Sequence, residues 1–278
     1  RYAVAPITTS NGSPVIIDGI PLFKILYNSY RENSFFDNSL LRWIALILLA
    51  VALMLYLNGH RSLRVFASVS IVMTGLTALA FGLETQMSDS IEIFSPTLYA
   101  DGQFFFSLGA LILVNTYITM MYMCTYMVRD RIAEVIRGNR RHRHRNLFIY
   151  VVICVLIGAA TVCYTHITLK SLIMNSNISM ELYRGNTQIQ YTVIVYLSYT
   201  GLLFCLMLLI QSVQPAAREV LGIRYDVFRP RNLAIFAFCC SLYFTINSAI
   251  LGFRKEQDRV MVWANRLAVE RDLGLEIQ

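Results

Sequence analysis

Hydrophobic positions in this chain do not recur at the 3.6-residue spacing of a surface helix. They fill six uninterrupted runs of about 18–26 residues, the length needed to cross a bilayer as a helix. The runs cover about 41–57, 65–83, 104–128, 147–169, 189–211 and 232–252. Arg42 and Trp43 stand at the head of the first as interfacial anchors, and the third is long enough to tilt or protrude. Before the first run, Ser13-Pro14-Val15-Ile16-Ile17-Asp18-Gly19 places turn residues around a β-branched stretch and is strand-like. Residues 20–30 are apolar on one side but too short to span, and read as an amphipathic approach segment. The pattern predicts an all-α membrane protein with three parts. An extracytoplasmic N-terminal segment covers 1–40, a six-helix transmembrane block covers 41–252, and a helical C-terminal extension covers 253–278, leading towards a further domain.

Composition agrees. Hydrophobic residues make up 56% of the chain and charged residues 15%, against about 25% charged in a soluble domain. Apart from Arg42 at the head of the first, no Lys, Arg, Asp or Glu lies inside the six runs. The six Cys (124, 154, 163, 205, 239, 240) all fall within the apolar runs, where free Cys is a small hydrophobe, so no disulfide framework or thiolate metal site is indicated. The chain starts at Arg1 and stops at Gln278 inside an apparent helix, which reads as an internal piece of a longer protein.

Charge orients the spans. The net charge is +7, and its basic part is concentrated after spans one, three and five: Arg61 and Arg64, seven Arg within 129–145, and Arg218, Arg224, Arg229 and Arg231. The loop at 84–101 carries four acids and neither Lys nor Arg. Under the positive-inside rule the basic loops are cytoplasmic, so both ends of the chain are extracytoplasmic. Arg137, Arg140, Arg141, Arg143 and Arg145 are the candidate contacts to anionic lipid headgroups. His142 and His144 lie among four guanidinium groups with no carboxylate nearby, a poor metal site. No aromatic residue interleaves that run, so nucleic acid is not an expected partner.

Phosphate-binding glycine loops, HExxH and Ser/His/Asp arrangements are missing from the sequence, and neither a catalytic residue nor a cofactor is assigned. His166 reads as an interfacial polar residue at the end of span four. Ion-coupled carriers place ionisable groups or broken helices at the membrane midplane. Here the spans hold no charge and no Pro, and their polar residues are amides and hydroxyls. Asn115, Thr119 and Asn247 are the candidate interhelical contacts, Asn115 and Thr119 sharing a face. In the tail, Val260, Trp263 or Ala264, Leu267 and Arg271 fall near one helical stripe, and Trp263 is the candidate partner contact.

Within that tail, Asn265-Arg266-Leu267-Ala268, Glu270-Arg271-Asp272 and Glu276 resemble a segment of long bacterial multi-pass sensor histidine kinases. There a multi-span block precedes a motif like LAxERDPxAE, an extracytoplasmic sensor domain, another span and the kinase core. The match departs at Leu273, where Pro is expected, and at Leu275, where Ala is. The resemblance implies a bacterial cytoplasmic membrane, and a non-catalytic anchoring and signal-input module of a two-component receptor whose partners are the bilayer and a second copy or other membrane proteins. A transporter or channel subunit, or a structural subunit binding other membrane proteins, are the alternatives.

The charge asymmetry gives a direct test. A cysteine introduced at Gly138 should resist an impermeant thiol reagent applied from outside, whereas cysteines in the 84–101 loop should react; labelling of the former would reverse the topology.

Overall fold

The computed structural model describes residues 2–5, 13–17, 20–27, 39–87, 92–96, 98–99, 101, 105–138, 141–176 and 189–276. Two compact units divide the chain, Arg1–Ala45 and Leu46–Gln278.

The first unit contains a three-stranded antiparallel sheet, β1 (Tyr2–Ala5), β2 (Ser13–Ile17) and β3 (Ile20–Tyr27), in the order β1-β3-β2. The strand expected over 13–17 is present, but 20–27 is a strand too, so the all-helical reading holds for the membrane block and not for the N-terminal segment. Ile17 pairs with Ile20, which leaves Asp18-Gly19 as a two-residue connection. That dipeptide is a strong hairpin signal. From Ile20 the chain pairs back along β2, with a bulge between Val15 and Ile16, while so short an apolar stretch could not propagate a helix by itself.

Six helices long and apolar enough to cross a membrane follow, and the protein is a multi-pass membrane protein. They are α1 (Ser39–Gly59), α2 (Leu63–Met87), α3 (Leu108–Gly138), α4 (Arg143–Asn175), α5 (Ile189–Leu221) and α6 (Pro230–Glu276). α3 and α5 form the central pair, with α2 against α3, α4 against both members of the pair, and α6 against α4. The largest buried cluster joins Leu108 and Leu111 of α3, Leu169 and Leu172 of α4, Val195 and Leu202 of α5, and Phe244 of α6. A second cluster sets Leu57, Val69 and Met73 against Cys124 and Val128 of α3. The outward faces are apolar and exposed, as with Ile71, Leu156 and Leu197. In water such continuous surface would drive association; in hydrocarbon it is the required exterior.

α3, α4 and α5 run further than the apolar pattern indicates, α3 and α5 by ten residues at their C-terminal ends. The 212–231 segment reads as a loop holding Pro215, yet α5 continues through that proline to Leu221. Proline removes the amide that would serve the carbonyl four residues back and opens the turn. The next loop packs against this turn: the Tyr225 hydroxyl donates to Ile210 O (2.8 Å), and Val227 N donates to the Gln211 side chain at Oε1 (3.0 Å). Gly222, at φ 71°, supplies the left-handed residue that ends the helix, its amide returning to Arg218 O. α3 likewise carries half of the arginine segment as helix. There Arg131 donates to Arg61 O and pairs with Glu134, and Arg137 meets Glu219 of α5 at 3.5 Å.

α6 has 47 residues without a break, about 70 Å at 1.5 Å per residue and roughly twice the hydrocarbon thickness. Good helix formers after Phe253 and no proline after Pro230 sustain it through Gly252.

At the other end of α3, the short 3-10 turn Glu92–Phe94 lies on the helix start. A Cβ at Gly109 would come 2.1 Å from the Phe94 ring. Gly109→Ala should therefore cost about 1–3 kcal/mol by overpacking, read as a lower melting midpoint in detergent, and adding Phe94→Ala should recover part of the loss.

Candidate functional site

The described polar groups gather in two places, one inside the bundle and one at the end where α3 begins and α4 finishes.

Inside, Asn115 of α3 is 1% exposed. Its Nδ2 donates to Ser198 Oγ of α5 at 2.9 Å, and its Oδ1 accepts from the Tyr164 hydroxyl of α4 at 2.9 Å. One amide thus ties three helices, with donor and acceptor both used. Thr119, one turn along, donates to Asn115 O of its own helix and stands against α5, 3.9 Å from where a Cβ would sit on Gly201. Two turns from Asn115, the Tyr122 hydroxyl pairs with the Thr161 hydroxyl of α4. Tyr199 of α5 is wholly buried, with its hydroxyl facing Thr168. Thr168 spends its own proton on Tyr164 O, and no hydrogen bond of ordinary geometry reaches Tyr199.

These partners of α4 form a series the sequence reading did not isolate. Tyr150, Thr161, Tyr164, Thr168, Ser171 and Asn175 recur at intervals built of threes and fours, placing them on one helix face. Tyr150 meets Ser212 of α5 at 3.2 Å, Thr161 and Tyr164 meet α3, and Ser171 and Asn175 meet the segment before α3. The signal was present as hydroxyl periodicity, but each residue alone is too weakly polar to interrupt an apolar run.

At the acidic end, Asp101 Oδ1 accepts from Ser171 Oγ (2.6 Å) and Asn175 Nδ2 (3.1 Å). With the Ser171 proton on the carboxylate, the Tyr99 hydroxyl, 3.0 Å away, must donate to Ser171. Tyr99 also bridges to Ser176 through the backbone. Lys255 of α6 closes the group. Its Nζ donates to Ile173 O at 2.7 Å and to Ser176 O, carbonyls at the end of α4 where the helix dipole is negative. Lys255 lies just past the apolar core, and burial lowers its amine below the ordinary value; Arg259 adds to the lowering and Glu256 opposes it.

The other residues singled out by sequence are placed as follows. Asn247 donates to Tyr243 O within α6, a local bond rather than a link between helices. His166 Nδ1 lies 3.3 Å from the Tyr243 hydroxyl, joining α4 to α6. Arg141, Arg143 and Arg145 are exposed, Arg137 is engaged by Glu219, and Arg140 lies outside the described residues. Trp263 is exposed, with the Arg266 guanidinium 6.0 Å from its ring centre. Among the described residues no three His, Cys, Asp or Glu side chains converge. Nothing among protein-family models, curated proteins or solved structures matches the chain.

The Asn115 node has a measurable value. Asn115→Leu should lower stability by up to about 2 kcal/mol without preventing insertion. In a double-mutant cycle with Ser198→Ala the two losses should be less than additive; full additivity would mean that the pair is not coupled.

Proposed function

We propose that this chain is the membrane-anchoring and signal-input part of a larger receptor, and that α6 is its output. The observation that carries the reading is the unbroken course of α6 from its membrane core to Glu276, clamped where it leaves the bundle by Lys255 on the end of α4. A rigid helix keyed to its neighbour at one point can pass on a rotation or tilt. A flexible linker would absorb it.

The sensor-kinase parentage rests on the resemblance of 265–276 alone, and with it the two-component role. The bacterial cytoplasmic membrane rests on the same resemblance, whereas the extracytoplasmic placing of both ends and the anionic lipids at the arginine loops rest on charge asymmetry. A second copy, or another membrane protein, would lie against the apolar faces of α1, α2 and α6. Transport is the less supported alternative: the interior polar groups are neutral, and Asn115 is already satisfied by the protein, whereas coupled carriers keep ionisable groups there. A purely structural subunit would share the same spans but would not need α6 to be in phase with anything beyond it.

Helical phase separates these readings. In the intact protein, two alanines inserted after Ala268 turn the distal part by about 200°, and four turn it by about 40°. Autophosphorylation of the intact protein in its membrane should fall at least about fivefold with two residues and much less with four. Equal effects of both, or an intact protein without an output domain, would leave anchoring as the function.

A further inference from the structure

Beyond Lys255, α6 does not lie free along its whole circumference. One side faces the last turn of α4, and the two enclose an open cleft of about 400 Å³. Met174, Asn175 and Ser176 form one wall, and Lys255, Asp258, Arg259, Val262, Trp263 and Arg266 form the other. The helical wall has a regular composition. Lys255, Arg259, Val262 and Arg266 follow at spacings of four, three and four and so share a face, with Trp263 at its edge. Three cations meet a single carboxylate.

The cations are not equivalent. Lys255 is committed to Ile173 O and Ser176 O, so its charge is spent on the end of α4. Arg259 and Arg266 have no ion pair among the described residues, and both are exposed. They are seven residues apart, about 10.5 Å along the axis, with Val262 and the Trp263 ring between them. A guanidinium fork suits phosphate or carboxylate oxygens, and the indole and valine offer an apolar floor beside it. On the opposite wall the Asn175 amide is already engaged by Asp101 and Ser176 is buried, so recognition falls to the α6 face.

We propose that this cleft is a binding site for an anionic amphiphile. A phosphate or carboxylate would sit on Arg259 and Arg266, and an apolar or planar part would lie against Val262 and Trp263. The same chemistry is offered by a phospholipid headgroup entering sideways from the membrane and by a free anion arriving from solution. Height does not separate them, because Arg259 is about 10 Å beyond Gly252 and Arg266 about 21 Å, one at headgroup level and the other above it. Anion binding here does not require α6 to transmit a signal.

Trp263 is the reporter, since the chain has only one other tryptophan, Trp43. The full chain carrying Trp43→Phe is placed in phosphatidylcholine nanodiscs, in nanodiscs with 30 mol% phosphatidylglycerol, and in neutral detergent with inorganic pyrophosphate. In at least one of the two anionic conditions Trp263 emission should shift, and the shift should disappear in Arg259→Gln/Arg266→Gln. A shift only with phosphatidylglycerol assigns the site to a lipid headgroup, whereas a saturable shift with pyrophosphate assigns it to a soluble anion. Emission that is unchanged in both conditions, or that changes equally with and without the two arginines, overturns the proposal. Because Arg259 and Arg266 are exposed, the double variant should keep its melting temperature; Arg259→Lys/Arg266→Lys, which retains charge but loses the fork, should keep only part of the shift.

Discussion

A polar group inside hydrocarbon has no water to bond, whereas an apolar side chain there gains little by leaving lipid for another side chain. Helix association in this setting depends on close packing and on hydrogen bonds between helices. The Asn115 amide is where that constraint acts most strongly. It reaches α4 through Tyr164 and α5 through Ser198, and its helix lies against α5 at Gly201 with Thr119 in the gap. The remaining hydroxyls of α4 extend the same logic along the helix, from Tyr150 near the arginine end to Ser171 at the acidic end. α4 is held by a line of neutral polar contacts, and its opposite face, with Val155, Leu156 and Val162, is left to lipid.

The end of α4 poses a different problem, because the last carbonyls of any helix lack partners within it. Two devices meet there. The Ser176 amide returns to Leu172 O, and the Lys255 ammonium covers the carbonyls of Ile173 and Ser176. A lysine from another helix does here what a capping residue does locally, and it fixes the angle at which α6 departs. Asp101 adds a nearby carboxylate without pairing to that lysine; it is occupied by Ser171 and Asn175. The cluster therefore joins three segments, the approach to α3, the end of α4 and the base of the α6 extension, with its charges directed at different partners.

The six spans were legible because bilayer thickness imposes a length that sequence shows directly, and the continuation of α6 was legible because proline is missing after Pro230. The N-terminal strand β3 was not. Its residues lack clean alternation, and the deciding contact is the return across Asp18-Gly19, which is a pairing rather than a local preference. The end of α5 lies ten residues past the apolar run, because the helix carries on through polar positions to Leu221 while Tyr225 and Val227 pack back onto the turn before Pro215, contacts that sequence order does not reveal. Asn115 could be found from its cost in hydrocarbon. Thr119 and Asn247 carry the same signal, but each can satisfy itself on a carbonyl one turn back, as both do. The stripe on α4 needed spacing to be read among hydroxyls as well as among apolar residues.

The two ends of the bundle differ in how their charges are held. At the arginine end, Arg131 and Arg137 are tied to Arg61 O and to Glu219, which brace the extended end of α3 against its neighbours. At the acidic end, Lys255 is half-buried against carbonyls, while Arg259 and Arg266, one and three turns further along the helix, line the cleft without an ion pair among the described residues. A brace needs its charges paired, since pairing is what fixes the geometry. A recognition surface needs some charge left over. Thus Arg131 and Arg137 act as structural supports, although Arg141, Arg143 and Arg145 beside them are exposed, whereas on the face of α6 above Lys255 two guanidinium groups have no ion pair among the described residues and stand beside an exposed indole. From Asn115 through Tyr164 and the α4 face to Ser171, Asn175 and the α4 end, contiguous contacts join the membrane interior to that face. Contiguity alone is not coupling. It does make α4 one route by which a displacement at the cleft would be felt inside the bundle, beside the ring contacts of Phe236 and Phe244 of α6 with Phe204 and Tyr196 of α5.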